Sequence, residues 1–288
     1  MDTIRSQLID ESLPVPPEFP VEKFQAVRDY LVNLKPTTKR TTSKKYLIAE
    51  RSLAGWDNVL YRSLTCIEQG HMIAEILQTT ELDIRRRFAS LQLAAPLPFQ
   101  MRRVQQIVRG ITNEFFSGRK PYEQERTFFV FFVSGLSALE SFTYSMYTLG
   151  AALDKGQRFQ MALNGRDNQI DIVTTADAYR TWPTATGSRV QKELDQLAKD
   201  KGTRAKPLKT ELARWERTRN LLIHQASPLR ISNVTLQRTA TGPDVSYHLT
   251  WENDDMDVDQ MLKLRAWFTD KIADLVTAAD EFVGTTLT

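Results

Sequence analysis

The side chains best suited to chemistry lie in one short stretch, which reads RWERTRNLLIH from Arg214 to His224. An imidazole such as that of His224 can take up or release a proton near neutral pH. On a helix, Asn220 would lie one turn before His224 on the same face, with Arg217 nearly in line. Arg219 falls on a mostly apolar stripe, where a cation needs a carboxylate or a phosphate partner.

The sequence Arg219-Asn220-x-x-x-His224 resembles the R-N-x-x-x-H motif of the HEPN family, small helical-bundle domains that include bacterial ribonucleases of toxin and defence systems. The flanking pattern is similar as well, because an apolar helix at 128–153 with an internal Glu140 precedes the motif and an amphipathic helix at 254–283 follows it. The resemblance covers residues 121–288. It implies a mostly α fold, a HEPN-like bundle with an appended β-hairpin near 231–251 and an N-terminal helical region.

The resemblance also implies a metal-independent endoribonuclease of a toxin or phage-defence system, with RNA as its partner and without cofactor or metal. His224 would move protons between the RNA oxygens, Arg219 would stabilise the negative charge on the phosphorane, and Asn220 would orient the histidine or the phosphate. Arg214 and Arg217 would bind RNA. The reaction is best served by both an acid and a base, so two motifs are expected to face each other in a symmetric homodimer.

One departure concerns the regulation of such toxins. In HEPN toxins that are paired with a nucleotidyltransferase antitoxin, a tyrosine closely follows the histidine and is modified. Gln225 and Ala226 stand after His224 here, which argues against silencing of that kind. An antitoxin or another defence-system protein is still the regulating partner that the resemblance implies.

Two alternatives remain open for the same residues. Arg219 could pair with a structural acid such as Glu140, while His224 could complement the carbonyl groups at the end of its helix. The domain would then be a non-catalytic HEPN-like module that binds RNA, a nucleotide or a protein.

Local charge favours RNA more than the net charge of +3 does. Residues 201–230 contain eight cations and two acids, a balance of +6, whereas residues 252–288 contain nine acids and three cations, a balance of −6. The arginines at 85–87 and 102–103 form two further basic clusters that could contact phosphates. Solvated helix faces complemented by the acidic C-terminal helix would give the same pattern.

Other candidate groups are weaker. Cys66 lies in an apolar-periodic stretch and is expected to be a buried thiol. Glu68-x-x-His71, with Glu75 one turn on, is half of a di-iron pattern, but no second pair exists in the sequence, so His71 is expected at the surface. His248 has no partner in the sequence pattern.

The 288 residues are 41% hydrophobic, which supports a folded core, and the polar N-terminus resembles no signal peptide. The apolar run at 128–139 is too short to span a membrane, so a cytoplasmic protein is expected. A weak boundary near residue 120 would divide the chain into 1–120 and 121–288. Periodicity and turn residues predict loops at 35–45 and 119–121, a hairpin turn at 241–244, and helices at 21–34, about 46–90 with a break near Gly70 or Thr79-Thr80, 99–116, 128–153, 190–199, 207–226 and 254–283.

Overall fold

In a computed structural model, the chain is mostly helical, as the sequence predicts. The structure describes residues 19–34, 42–89, 102–103, 105–107, 109, 119–154, 158–201, 210–224, 230–239, 242–251, 254–255 and 257–286. Its helices are α1 (Val21–Asn33), α2 (Thr42–Ala89), α3 (Arg119–Leu153), α4 (Gln160–Leu163), α5 (Ile172–Arg180), α6 (Ala185–Lys201), α7 (Glu211–His224) and α8 (Val258–Thr286). A 3₁₀ turn covers Asp167–Gln169, and residues 102–103, 105–107 and 109 are also helical.

Three strands follow α7, namely β1 (Arg230–Thr239), β2 (Gly242–Trp251) and β3 (Asp254–Asp255). β1 and β2 are antiparallel, with Arg230 opposite Trp251 and Thr239 opposite Gly242. The turn predicted at 241–244 is therefore wrong for residues 242–244, which are paired strand residues. Residues 240–241, between the two strands, lie outside the described part. β3 pairs with the end of β2.

α2 is one continuous helix, and the break predicted near Gly70 or Thr79-Thr80 is wrong. Gly70 is tolerated within the helix because the ring of Phe131 lies against it; a Cβ at Gly70 would come within 2.8 Å of Phe131 Cε2. The hydroxyl of Thr80 donates to the carbonyl of Ile76 at 2.7 Å, one turn back, so this threonine hydrogen-bonds along the helix instead of ending it.

α3 begins at Arg119, so the loop predicted at 119–121 is also wrong. Pro121 lies in the first turn, where its missing N–H leaves no helical hydrogen bond unmade. The segment Glu123–Leu153 is longer than the apolar run suggested, and by length and composition it could cross a membrane. However, 56% of its most apolar 18-residue stretch is buried inside the structure. The core helix of a soluble protein can have the same length and composition.

The chain forms two compact units. Unit 1 consists of Met1–Ile67, Phe132–Thr218 and Ala266–Thr288, and unit 2 consists of Glu68–Phe131 and Arg219–Arg265. The divisions fall within α2, α3, α7 and α8, so each of these helices contributes residues to both units. Neither unit coincides with residues 1–120 or 121–288, and that division stays a prediction.

The core of unit 1 is built from aromatic side chains. Trp56 of α2 stacks on Phe24 of α1 at 4.9 Å, and its indole N–H donates to the Phe24 carbonyl at 3.0 Å. Phe159 and Tyr179 meet edge to face at 5.2 Å, and the Tyr179 hydroxyl donates to the carbonyl of Met146. Burial raises the pKa of Tyr179 well above its ordinary value, so this hydroxyl remains a donor. Aromatic packing and buried hydrogen bonds thus join α1, α2, α3 and α5.

Replacing Gly150 by alanine should destabilise the protein, although alanine is about 1 kcal/mol more favourable than glycine in the interior of a helix. The ring of Phe159 lies against Gly150 of α3, and an added Cβ would come within 2.3 Å of its Cζ. Overpacking of this kind costs about 1–3 kcal/mol. Urea denaturation measures the change, with Gly284→Ala in α8 as the control, because among the described residues a Cβ there would meet no atom within 4 Å beyond its chain neighbours and its own helix backbone. Equal stability of both variants would contradict the packing described for Phe159.

Candidate active site

The helix that carries the motif, α7, starts from a capped N-terminus. The hydroxyl of Thr210 accepts a hydrogen bond from the backbone N–H of Ala213 at 3.3 Å and donates one to the carbonyl of Asp200. Such a cap stabilises a helix by satisfying a backbone donor of its first turn. The helix therefore begins at Glu211, later than Pro207 predicted. Residues 202–209 lie outside the described part.

The first half of α7 is held by Trp215, which is 1% exposed. Its indole N–H donates to the backbone carbonyl of Phe132 on α3 at 2.8 Å, and the two rings meet edge to face at 5.3 Å. On α8, Trp267 and Phe268 lie 5.8 and 5.5 Å from the Trp215 ring. Gly135 makes room for the indole, since a Cβ there would come within 2.4 Å of Trp215 Cζ2. Trp215 thus anchors the first half of α7 against α3 and α8.

All five predicted site residues lie on α7, as expected. Arg217 and Asn220 are exposed, and Arg214 and Arg219 are partly buried. His224 is the last residue of the helix, and its side chain lies outside the part of the chain that the structure describes. The helical backbone therefore gives Asn220 and His224 the expected one-turn separation, about 6 Å along the axis.

The partial burial of Arg219 agrees with its predicted place on a mostly apolar stripe. Leu212 and Trp215 on that stripe are buried, and Leu222 is partly buried. Glu140, the acid suggested as a structural partner for Arg219, is exposed on α3. Their pairing stays a prediction. At this position a guanidinium can supply bidentate hydrogen bonds to a carboxylate or to a phosphate.

Two of the weaker candidates, Cys66 and His71, lie among the residues whose side chains the structure describes. Cys66 is buried, as predicted. His71 is exposed, also as predicted, and its Nε2 lies 3.2 Å from Oε1 of Glu75. Among the described residues, no group of three histidine, cysteine or acidic side chains could hold a metal ion. The side chains of His248 and Arg85 lie outside the described part.

A polar cluster that the sequence does not predict joins α2, α3 and the 3₁₀ turn. Asp167 Oδ2 accepts a hydrogen bond from Arg51 Nη1 at 2.9 Å and a longer one from the Tyr144 hydroxyl at 3.5 Å. Burial, followed by the charge of Asp167, raises the pKa of Tyr144. No sequence signal could reveal this cluster, because Arg51 and Asp167 are 116 positions apart. With a paired carboxylate and a neutral phenol, it ties three elements together.

The chain matches no protein-family model, and it has no significant similarity to the curated proteins or the solved structures with which it was compared. Its function must therefore be argued from its own residues.

Proposed function

We propose that this protein is a HEPN-like, metal-independent endoribonuclease whose catalytic residues are Arg219, Asn220 and His224. The observation that supports the proposal is that one helix, α7, carries all three at the motif spacing. Asn220 is exposed and Arg219 is only partly buried, so a ligand can reach both. The capped start and the buried Trp215 hold the first half of the same helix, as a catalytic helix requires.

The reaction is a transfer of the phosphoryl group within the RNA. The 2′-oxygen forms a bond to phosphorus, the bond from phosphorus to the 5′-oxygen breaks, and the products carry a 2′,3′-cyclic phosphate and a 5′-hydroxyl. A neutral His224 accepts the proton of the 2′-hydroxyl, and a protonated histidine returns one to the 5′-oxygen. Arg219 stabilises the extra charge on the phosphorane.

One His224 cannot serve as both the base and the acid within one step. A symmetric homodimer supplies the second histidine, and we propose that the two motifs face each other across its two-fold axis. Arg214 and Arg217, on the preceding turns of α7, hold the phosphates of the bound strand. As a cytoplasmic toxin or defence effector, the enzyme would be restrained by a partner protein.

The purified protein should cleave RNA in the presence of excess EDTA. The expected products carry a 2′,3′-cyclic phosphate, which mass spectrometry of the fragments identifies. An oligonucleotide of the same sequence with 2′-deoxyribose at every position is the control and should stay intact, since it lacks the attacking oxygen. A requirement for a divalent cation, or products with a 5′-phosphate, would contradict this mechanism. Tight RNA binding without any cleavage would favour the non-catalytic module instead.

A further inference from the structure

A second basic region lies far from the motif in sequence. Residues 84–113 contain six arginines and neither an acid nor a lysine. Part of this stretch is helical, at 102–103, 105–107 and 109. It belongs to unit 2, which also contains residues 219–224 with the candidate catalytic side chains.

The described part of this helix is amphipathic. Its exposed side chains, Arg102, Gln105, Gln106 and Arg109, fall within an arc of about 100° at the helical period of 3.6 residues. Arg103 and Ile107, on the neighbouring arc, are partly buried. The four exposed residues form what is here called the arginine-glutamine face. It presents cations and amides to solvent.

We propose that the arginine-glutamine face binds the phosphate backbone of single-stranded RNA. Arg102 and Arg109 are seven residues apart, about 10.5 Å along a helix axis, so they reach two different phosphates of one strand. Guanidinium groups bind phosphate oxygens through two hydrogen bonds. The amides of Gln105 and Gln106, between them, can hydrogen-bond the exposed edges of unpaired bases.

Charge complementarity favours RNA over other occupants. No acid lies within four residues of Arg102 or Arg109 in the sequence, so neither has an acidic neighbour one turn away on a helix. A polyanion, which releases condensed counterions when it binds cations, is therefore the ligand expected to bind this surface with the highest affinity. The choice of RNA as the polyanion depends on the proposed function, whereas the position of the face does not.

The test measures binding separately from cleavage. The probe is a short fluorescent oligouridine with 2′-O-methyl groups, which has no 2′-hydroxyl to attack the phosphate and stays intact. Arg102→Gln/Arg109→Gln should flatten the slope of log affinity against log salt by about 1.4, since each phosphate contact on a single strand contributes about 0.7. Between 1 M and 0.1 M salt, that difference corresponds to about 25-fold in affinity.

The matched control is Lys192→Gln/Lys199→Gln on α6 of unit 1. These lysines are exposed, are also seven residues apart, and their replacement removes the same charge. This control should leave the salt slope unchanged. A probe with uncharged methylphosphonate linkages should bind the wild type and the arginine variant equally.

The outcomes separate this inference from the proposed function. If the arginine variant and the lysine control bind the probe equally well, or if the wild type binds no RNA, the inference is overturned. If the arginine variant loses affinity while the wild type cleaves no RNA, the face binds RNA and the proposed enzyme activity fails. Unchanged circular dichroism of the exposed-site variants shows that the fold is retained.

Discussion

Replacing His224 by alanine should lower the rate of RNA cleavage by about 10²–10⁴-fold, the range that general acid-base catalysis contributes. The expected loss applies to the cleavage step under single-turnover conditions, with RNA affinity measured separately and nearly unchanged. The matched control is His71→Ala in α2, because that imidazole is exposed and its Nε2 pairs with the exposed Glu75 one turn on. The control should cleave RNA at the wild-type rate. A fully active His224→Ala protein would reject the catalytic assignment.

The homodimer makes the same substitution more informative. If one composite site needs a histidine from each protomer, an equal mixture of wild type and His224→Ala should retain about a quarter of the activity after subunit exchange, since only wild-type pairs are complete. Independent sites would retain about half. Cleavage rates of the mixture before and after exchange distinguish the two arrangements.

Two substitutions of Arg219 distinguish a catalytic role of this residue from a structural one. It is partly buried, so Arg219→Ala can strand a neighbouring polar group, whereas Arg219→Lys retains the charge without the bidentate geometry. Loss of activity in both variants with normal thermal stability supports a role on the phosphorane. Unfolding of the alanine variant together with full activity of the lysine variant would make Arg219 a structural residue.

The helices were the most predictable part of the fold, because apolar residues that recur at the 3.6-residue helical period are visible in the local sequence. α1 was expected at 21–34 and covers Val21–Asn33, with Phe24, Val27 and Leu31 buried. The ends were less predictable. The acids from 254 onward look like a first helical turn, but Asp254–Asp255 pair as β3, and Asp257 caps α8 by accepting a hydrogen bond from the N–H of Gln260 at 2.8 Å.

The helix break predicted near Gly70 was wrong because of packing between residues that are far apart in the sequence. Gly70 looked like a helix breaker, yet it provides space for Phe131, 61 positions further on. Local propensity contains no information about such a neighbour. The same limit applies to the site: the motif spacing was visible in the sequence, but the hydrogen bond from Trp215 to the Phe132 carbonyl, which holds the motif helix, was not.

Replacing Trp215 by alanine should lower the free energy of unfolding by about 3–5 kcal/mol, as expected for a large buried aromatic side chain. It removes the ring that contacts Phe132 on α3 and Trp267 and Phe268 on α8. Because Arg219 and His224 continue the same helix, RNA cleavage should fall as well. Urea denaturation gives the stability, and cleavage at a low temperature, where the variant is still folded, gives the effect on the site.

A double-mutant cycle with Gly135 tests whether the indole is seated as described. Gly135→Ala alone should cost about 1–3 kcal/mol, because its Cβ would come within 2.4 Å of Trp215 Cζ2 and 3.0 Å of Cys66 Sγ. In a Trp215→Phe background, the smaller phenyl ring lacks the indole Cζ2 atom. The same alanine should then lower the free energy of unfolding by less. A favourable coupling of about 1 kcal/mol between the two positions is therefore expected. Additive effects would mean that Gly135 does not contact the indole, and α7 would then be held by other contacts.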